Sequence, residues 1–279
     1  MRTKRLPSIA LGTGILLWAT AAAAVPVVTS VGGSDPASIQ VSVDAFRSSL
    51  GALNPNVAGS FGTGRREINW DGVPDAFASP NSFPANFFNV NSPRGVVFST
   101  SGTGFQVSAN AGIAPVRFGN IDATYPDIFS TFSPQRLFTS LGSNVLDVTF
   151  FVPGGTTPAS TRGFGAVFTD VDLASTSSLQ FFGIDNSLLF TGFVLPGTIA
   201  SGSLSFLGVS FTEGNVISHV RITSGNSALG LPEASGRDLV VLDDFIFGEP
   251  NRIPLPATGL LLVAGLIAAA FLPGRHRRS

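Results

Sequence analysis

The chain has 279 residues, 44% hydrophobic and 12% charged, with sixteen basic against seventeen acidic side chains and a formal net charge of -1. It has no cysteine, which excludes disulfides, zinc–thiolate and iron–sulfur centres, and a cysteine nucleophile. The charged share is low for a soluble domain, the apolar share is too high for a disordered chain, and the overall basicity of a nucleic-acid binder is absent.

The first element in chain order is an address. Arg2, Lys4 and Arg5 precede an apolar run over 9–19 and four alanines at 21–24. A basic start, a short apolar run and small residues before a cut predict a secretory signal peptide over 1–24. An uncleaved membrane anchor is the alternative, but the run is short for a bilayer core of about 30 Å. Residues 25–38 are expected as a flexible lead, and helical spacing shows only near 44–50. Trp70 and Asp71 follow in a Gly/Asn-rich stretch. An exposed Trp70 would stack on a sugar ring while Asp71 and Asn69 bond its hydroxyls; a core tryptophan is the plain alternative. Residues 74–93, rich in Pro, Asn and Phe, predict a long ordered loop packed by its aromatics.

Strand signals dominate from about residue 98 onward. Over 146–152 every second residue is apolar, and over 216–222 one face holds Val216, Val220 and Ile222 while the other holds His219 and Arg221. The run 239–247 is almost continuously β-branched and aromatic, as in a strand covered on both sides. Further strands are expected over 166–171, 179–182, 188–195 and 203–211, with Gly, Pro, Asn and Asp turns between them. The fold class is therefore all-β: an antiparallel, jelly-roll-like β-sandwich over 39–248. Residues 25–250 hold nine arginines against all seventeen acids, a net -8, which disfavours nucleic acid or anionic lipid as a partner.

Catalytic residues are scarce. His219 is the only histidine of this domain, no Gly-x-Ser-x-Gly elbow accompanies it, and it reads as a surface or structural residue. Two carboxylate pairs are visible. Asp170 and Asp172, two apart, would share a strand face, whereas Asp243 and Asp244 would point to opposite faces. A facing pair of acids would serve a secreted polysaccharide hydrolase. A buried member of Asp243/Asp244 needs a partner. Calcium is one candidate; backbone amides or an arginine such as Arg65 or Arg66 are the others.

The last segment, 249–279, is a second address. Ile253, Pro254, Leu255, Pro256 and Ala257 precede an apolar run over 258–272, then Arg275, Arg277 and Arg278. These fifteen residues make a helix of about 22 Å, short for a span unless the Pro-rich lead also enters the membrane. The arginines would stay cytoplasmic. This tripartite tail resembles the PEP-CTERM sorting signals of Gram-negative bacteria in their VPLPA variant, with Leu255 where the main family has glutamate. The resemblance implies an exosortase-like processing enzyme as partner, removal of the tail, and delivery to the cell surface or extracellular matrix. Residues 255–259 also fit the LPxTG pattern of sortase-anchored wall proteins, though without the usual polar gap after the glycine; a plain C-terminal anchor is the third possibility. Residues 64–74, 86–90 and 240–245 resemble uncharacterised bacterial exported proteins that end in such tails. The whole reads as an exported, non-enzymatic surface or matrix protein binding exopolysaccharide, with the hydrolase as the alternative.

Overall fold

The structure, a computed structural model, describes residues 25–254. The expected signal peptide, the apolar run over 258–272, Leu255, Pro256, Ala257 and the terminal arginines lie outside the described residues. Among the described residues no helix is long and apolar enough to cross a membrane.

Alternation sets the first sheet. In β6 (Val145–Phe150) Leu146, Val148 and Phe150 are buried while the residues between them are half-buried. β6 pairs antiparallel with β3 (Val96–Thr100) on one side and β12 (His219–Thr223) on the other. β9 (Ser178–Phe182) and β10 (Leu188–Phe193) extend it to five strands in the order β10-β9-β12-β6-β3.

The second sheet has seven strands. Its centre is β8 (Gly163–Thr169) and β13 (Val241–Gly248), buried at every residue because both faces are covered. The order is β1 (Pro26–Gly33), β11 (Leu204–Phe211), β8, β13, β5 (Phe138–Leu141), β4 (Gly104–Val107). β2 (Arg65–Ile68) also pairs with β13. β7 (Ala159–Ser160) and β14 (Asn251–Arg252) form a separate two-stranded ladder. The two large sheets face each other over one core that includes Phe98, Val148, Phe164, Phe181, Ile222 and Phe245. This is the antiparallel sandwich expected from the strand spacing.

Two boundaries differ from the sequence reading. The supposed flexible lead, 25–38, is strand β1 followed by the start of helix α1 (Pro36–Leu50). β1 pairs with β11 along all eight of its residues, so its backbone is held by a full ladder. α1 opens with a capping box: Asp35 accepts from the Ser38 amide at 2.9 Å, and the Ser38 hydroxyl accepts from the Asp35 amide at 3.2 Å. Its buried stripe is Ile39, Val43, Phe46 and Leu50, a helical spacing disguised by the β-branched residues at 39, 41 and 43. The stripe covers the outer face of the seven-stranded sheet through Val167, Leu204, Phe206 and Ile246. Phe46 lies over the paired glycines Gly165 and Gly208, where an added Cβ would meet its ring at 2.9 and 2.8 Å.

At the other end, Glu249, expected within the tail, belongs to the domain. It is 2% exposed and ion-paired to the fully buried Arg66. The stretch 74–93 behaves as expected: a loop with two short helical turns whose Phe83, Phe87 and Phe88 pack into the core.

Candidate functional site

α1 covers one sandwich face and leaves the outer face of the five-stranded sheet open. Strand register builds two rows across it. One runs Val97, Thr149, His219, Phe182 and Leu188. The next runs Ser99, Asp147, Arg221, Gln180 and Thr191. None of these ten residues is buried, whereas their strand neighbours Phe98, Val148, Val220 and Phe181 are. The His219 imidazole stacks on the Phe182 ring, centroids 4.4 Å apart and planes within 3°. Partial burial holds His219 below its ordinary pKa. Arg221 forms a two-pronged pair with Asp147, Nε to Oδ1 at 2.8 Å and Nη2 to Oδ2 at 3.0 Å. The face thus carries a stacked aromatic pair beside a band of hydroxyl, amide, guanidinium and carboxylate groups. The polar side of 216–222 was visible in the sequence; its partners on β9, β6, β3 and β10 were not.

The residues singled out from sequence sit elsewhere. Trp70 is 1% exposed. Its indole stacks on Phe138 at 4.0 Å, meets Phe88 and Phe245 edge to face, and donates Nε1–H to the Asp243 carbonyl at 2.8 Å. It is a core residue and presents no face to a sugar, which corrects the ligand-binding expectation for Trp70. Asp71 Oδ1 accepts from the backbone amides of Gln135 and Arg136, stapling two loops. Its acidity is weakened by burial.

Asp243 and Asp244 do not point oppositely. β13 is bulged against β8 between Leu242 and Phe245, and the extra residue turns both carboxylates toward Ser133. Asp243 Oδ2 accepts from the Phe132 amide at 2.6 Å, and Asp244 Oδ2 from Arg47 at 2.9 Å. Burial pushes Asp243 well above the usual carboxylate range, with the Asp244 charge adding to it. Asp244 is pushed up to about 6 by burial, against the help of Ser133 and Arg47. Backbone N–H, hydroxyl and guanidinium donors engage the pair, with the single Ser133 hydroxyl hydrogen lying between Asp243 Oδ1 and Asp244 Oδ1, and the arginine concerned is Arg47 rather than Arg65 or Arg66. The Ser133 contact sits 110 residues from Asp243 in sequence and had no local signal.

A different acid group converges at the end of β8. One carboxylate oxygen each from Asp170, Asp172 and Glu233 lie within 4.8 Å of one another. Among the described residues this is the one group of three potential ligands so placed. Asp170 leaves the strand with φ +69°, a left-handed conformation that aspartate tolerates better than most residues, and it is fully buried. Oδ1 accepts from the Gly202 amide at 2.9 Å, while Oδ2 has no partner. Burial, then the charges of Glu233 and Asp172, push Asp170 up to about 8. Burial likewise raises Asp172, with Asp238 second, and Glu233, with Asp172 second. Fully buried Asp238 braces the corner, accepting from the Asp172 amide at 2.9 Å and from the Thr176 hydroxyl. Asp170 and Asp172 do come together, but beyond the end of β8 at Thr169 and not on a shared strand face as expected, and Glu233, on the loop between β12 and β13, has no local signal in the sequence.

No family model and no curated protein matches the chain. A solved two-domain protein of unknown function from Bacteroides fragilis is similar over 57% of this chain and 46% of its own, at 13% identity and TM-score 0.25. The chain thus spans about half the length of that structure.

Proposed function

We propose that this is an exported, non-enzymatic surface or matrix protein whose open five-stranded face binds extracellular polysaccharide. The observation that carries the binding reading is the uncovered double row, with the His219–Phe182 stack beside Arg221, Asp147, Gln180 and Thr191. An aromatic pair on an uncovered sheet face, flanked by hydrogen-bonding side chains, suits the apolar edge of a sugar ring and its hydroxyls. The strand order supports the jelly-roll reading. The eight strands β5, β6, β8, β9, β10, β11, β12 and β13 alternate in sets between orders β5-β13-β8-β11 and β6-β12-β9-β10, the arrangement of two nested Greek keys. The export reading rests on the two terminal segments: signal peptide, PEP-CTERM-like tail processed by an exosortase-like enzyme, and cell-surface or matrix delivery after a transient membrane stage. A sortase-type or plain anchor would leave the same ectodomain outside.

The hydrolase reading has less support. Asp170 is fully buried and so does not face an open groove, although one of its oxygens lies within 4.8 Å of one of Asp172. Glycosidase pairs stand about 5–10 Å apart across an open groove.

Affinity electrophoresis through gels containing purified bacterial exopolysaccharide tests the binding. The wild-type chain should be retarded, and Phe182→Ala with Arg221→Ala should run freely while melting as a folded protein. Equal retardation of both would refute the assignment of the face. Fractionation of the source cells tests the address: a chain found only in the cytoplasm refutes export.

A further inference from the structure

We propose that Asp170, Asp172 and Glu233 form a Ca²⁺ site that pins the β12–β13 loop to the end of β8. Four observations converge. The three carboxylate oxygens lie within 4.8 Å of one another, no wider than a Ca²⁺ coordination sphere of about 4.6–5.2 Å across. Asp170 is fully buried, yet its Oδ2 has no hydrogen-bond donor, and the buried Oε1 of Glu233 has none either. Buried carboxylate oxygens without a donor need a shared positive partner, because a buried charge without one is costly. Finally, among the described residues the ion pairs of this chain fall on Asp44, Glu67, Asp75, Asp147, Asp244 and Glu249, and none on these acids.

The donor set selects the kind of ion. All three ligands are carboxylates and no histidine or cysteine is among them, so the site favours a hard cation over zinc or copper. They sit on irregular connecting segments, and Asp170 and Glu233 are 63 positions apart. Ca²⁺ tolerates such irregular, partly hydrated oxygen shells, whereas Mg²⁺ demands near-ideal octahedral geometry and gives up its water reluctantly. Asp238 shapes the site without joining it, since both its oxygens are engaged by the Asp172 amide and Thr176. The rival occupant of the gap is a single proton shared between Asp170 and Glu233.

Calorimetric titration of CaCl₂ into the chelator-stripped full-length chain separates the two. One site per chain is expected, with Kd ~0.1–1 mM, and a melting temperature raised by ~3–6 °C at a tenfold excess over Kd. Glu233→Gln should weaken binding at least ~10-fold, the loss of one of three charged ligands, and Asp172→Asn should do likewise. Asp185→Asn, on an exposed turn, should leave Kd unchanged. In EDTA the Glu233→Gln chain should melt no lower than wild type, because the new amide can donate to Asp170 Oδ2. No saturable Ca²⁺ heat, an unchanged Kd in both site variants, equal binding of MgCl₂, or a lower melting point of Glu233→Gln in EDTA would each overturn the site.

Discussion

Replacing Arg66 by methionine should unfold this domain more readily than any surface substitution. Arg66 lies on β2, fully buried, with every N–H group of its guanidinium engaged. Nε and Nη2 reach the two oxygens of Glu249 at 2.8 and 2.9 Å. Nη1 donates to the carbonyls of Pro55, Val57 and Pro93, and Nη2 to that of Gly59. Methionine keeps much of the apolar stem but removes all of these donors. Glu249 would be left 2% exposed, with only the Asn54 amide at 2.8 Å and the Phe61 N–H at 3.2 Å. Stranding one partner of a buried pair costs about 3–5 kcal/mol. The loop carbonyls at 55, 57 and 59 belong to exposed or half-exposed residues and can rehydrate, so they add little. At ~2–4 °C per kcal/mol for a domain of this size, the melting temperature should fall by ~6–20 °C. Urea unfolding followed by circular dichroism gives the free energy, and the double variant with Glu249→Gln gives the coupling. The double variant should recover ~0.5–3 kcal/mol relative to the sum of the singles. If Arg66→Met lies within ~0.5 kcal/mol of wild type, like an ordinary surface change, the reasoning fails. A chain ending at Gly248 should show the same loss, and one ending at Pro254 should not.

Other outcomes follow from the same geometry. Trp70→Phe should cost ~1–3 kcal/mol, from lost ring area and an orphaned Asp243 carbonyl, and leave polysaccharide retardation intact; selective loss of retardation in a folded variant would restore the sugar-stacking role. Gly165→Val should destabilise by ~1–3 kcal/mol by overpacking, because its side chain would collide with Phe206 and Phe46 and lift α1, a loss visible as faster amide exchange over 36–50. In EDTA the domain should grow more stable as pH falls from about 8 toward 5. The sign follows from Asp170 at about 8, Asp244 at about 6 and Asp243 well above the usual range: each folded pKa exceeds the unfolded 3.8, so the cost of burying the charge is full above the folded value and relieved as protons bind. His219, held below 6.5, opposes this weakly from a half-buried position. A melting temperature that drops steadily from pH ~8 to ~5 would contradict the buried-carboxylate account.

How much could be read in advance depended on distance along the chain. The strands over 145–150, 178–182, 204–211 and 241–248 were legible because period-2 alternation, or its absence in a doubly covered strand, is a local property. Helix α1 was half legible: its i, i+4, i+7, i+11 stripe was present, but the β-branched residues at 39, 41 and 43 imitate a strand and the Asp35 cap was overlooked. For Trp70 the sequence leaves a sugar-stacking and a core reading both open, because a Gly/Asn-rich neighbourhood also suits a surface turn. Burial there is decided by Phe83, Phe88, Phe98, Phe138 and Phe245 arriving from five other segments.

The sequence by itself determined the all-β architecture, the acidic charge of residues 25–250 and the lack of cysteine chemistry, and it carries the two terminal segments on which the export reading rests. Composition and short-range pattern suffice for these, since each depends on residues within one strand or one end. Tertiary structure alone decided which acids meet. A bulge in β13 turned Asp243 and Asp244 the same way, pairing of β2 with β13 carried Glu249 to Arg66 across 183 positions, and the β12–β13 loop brought Glu233 to Asp170. Strand pairing joins residues with no local relation, and only the complete strand order says which.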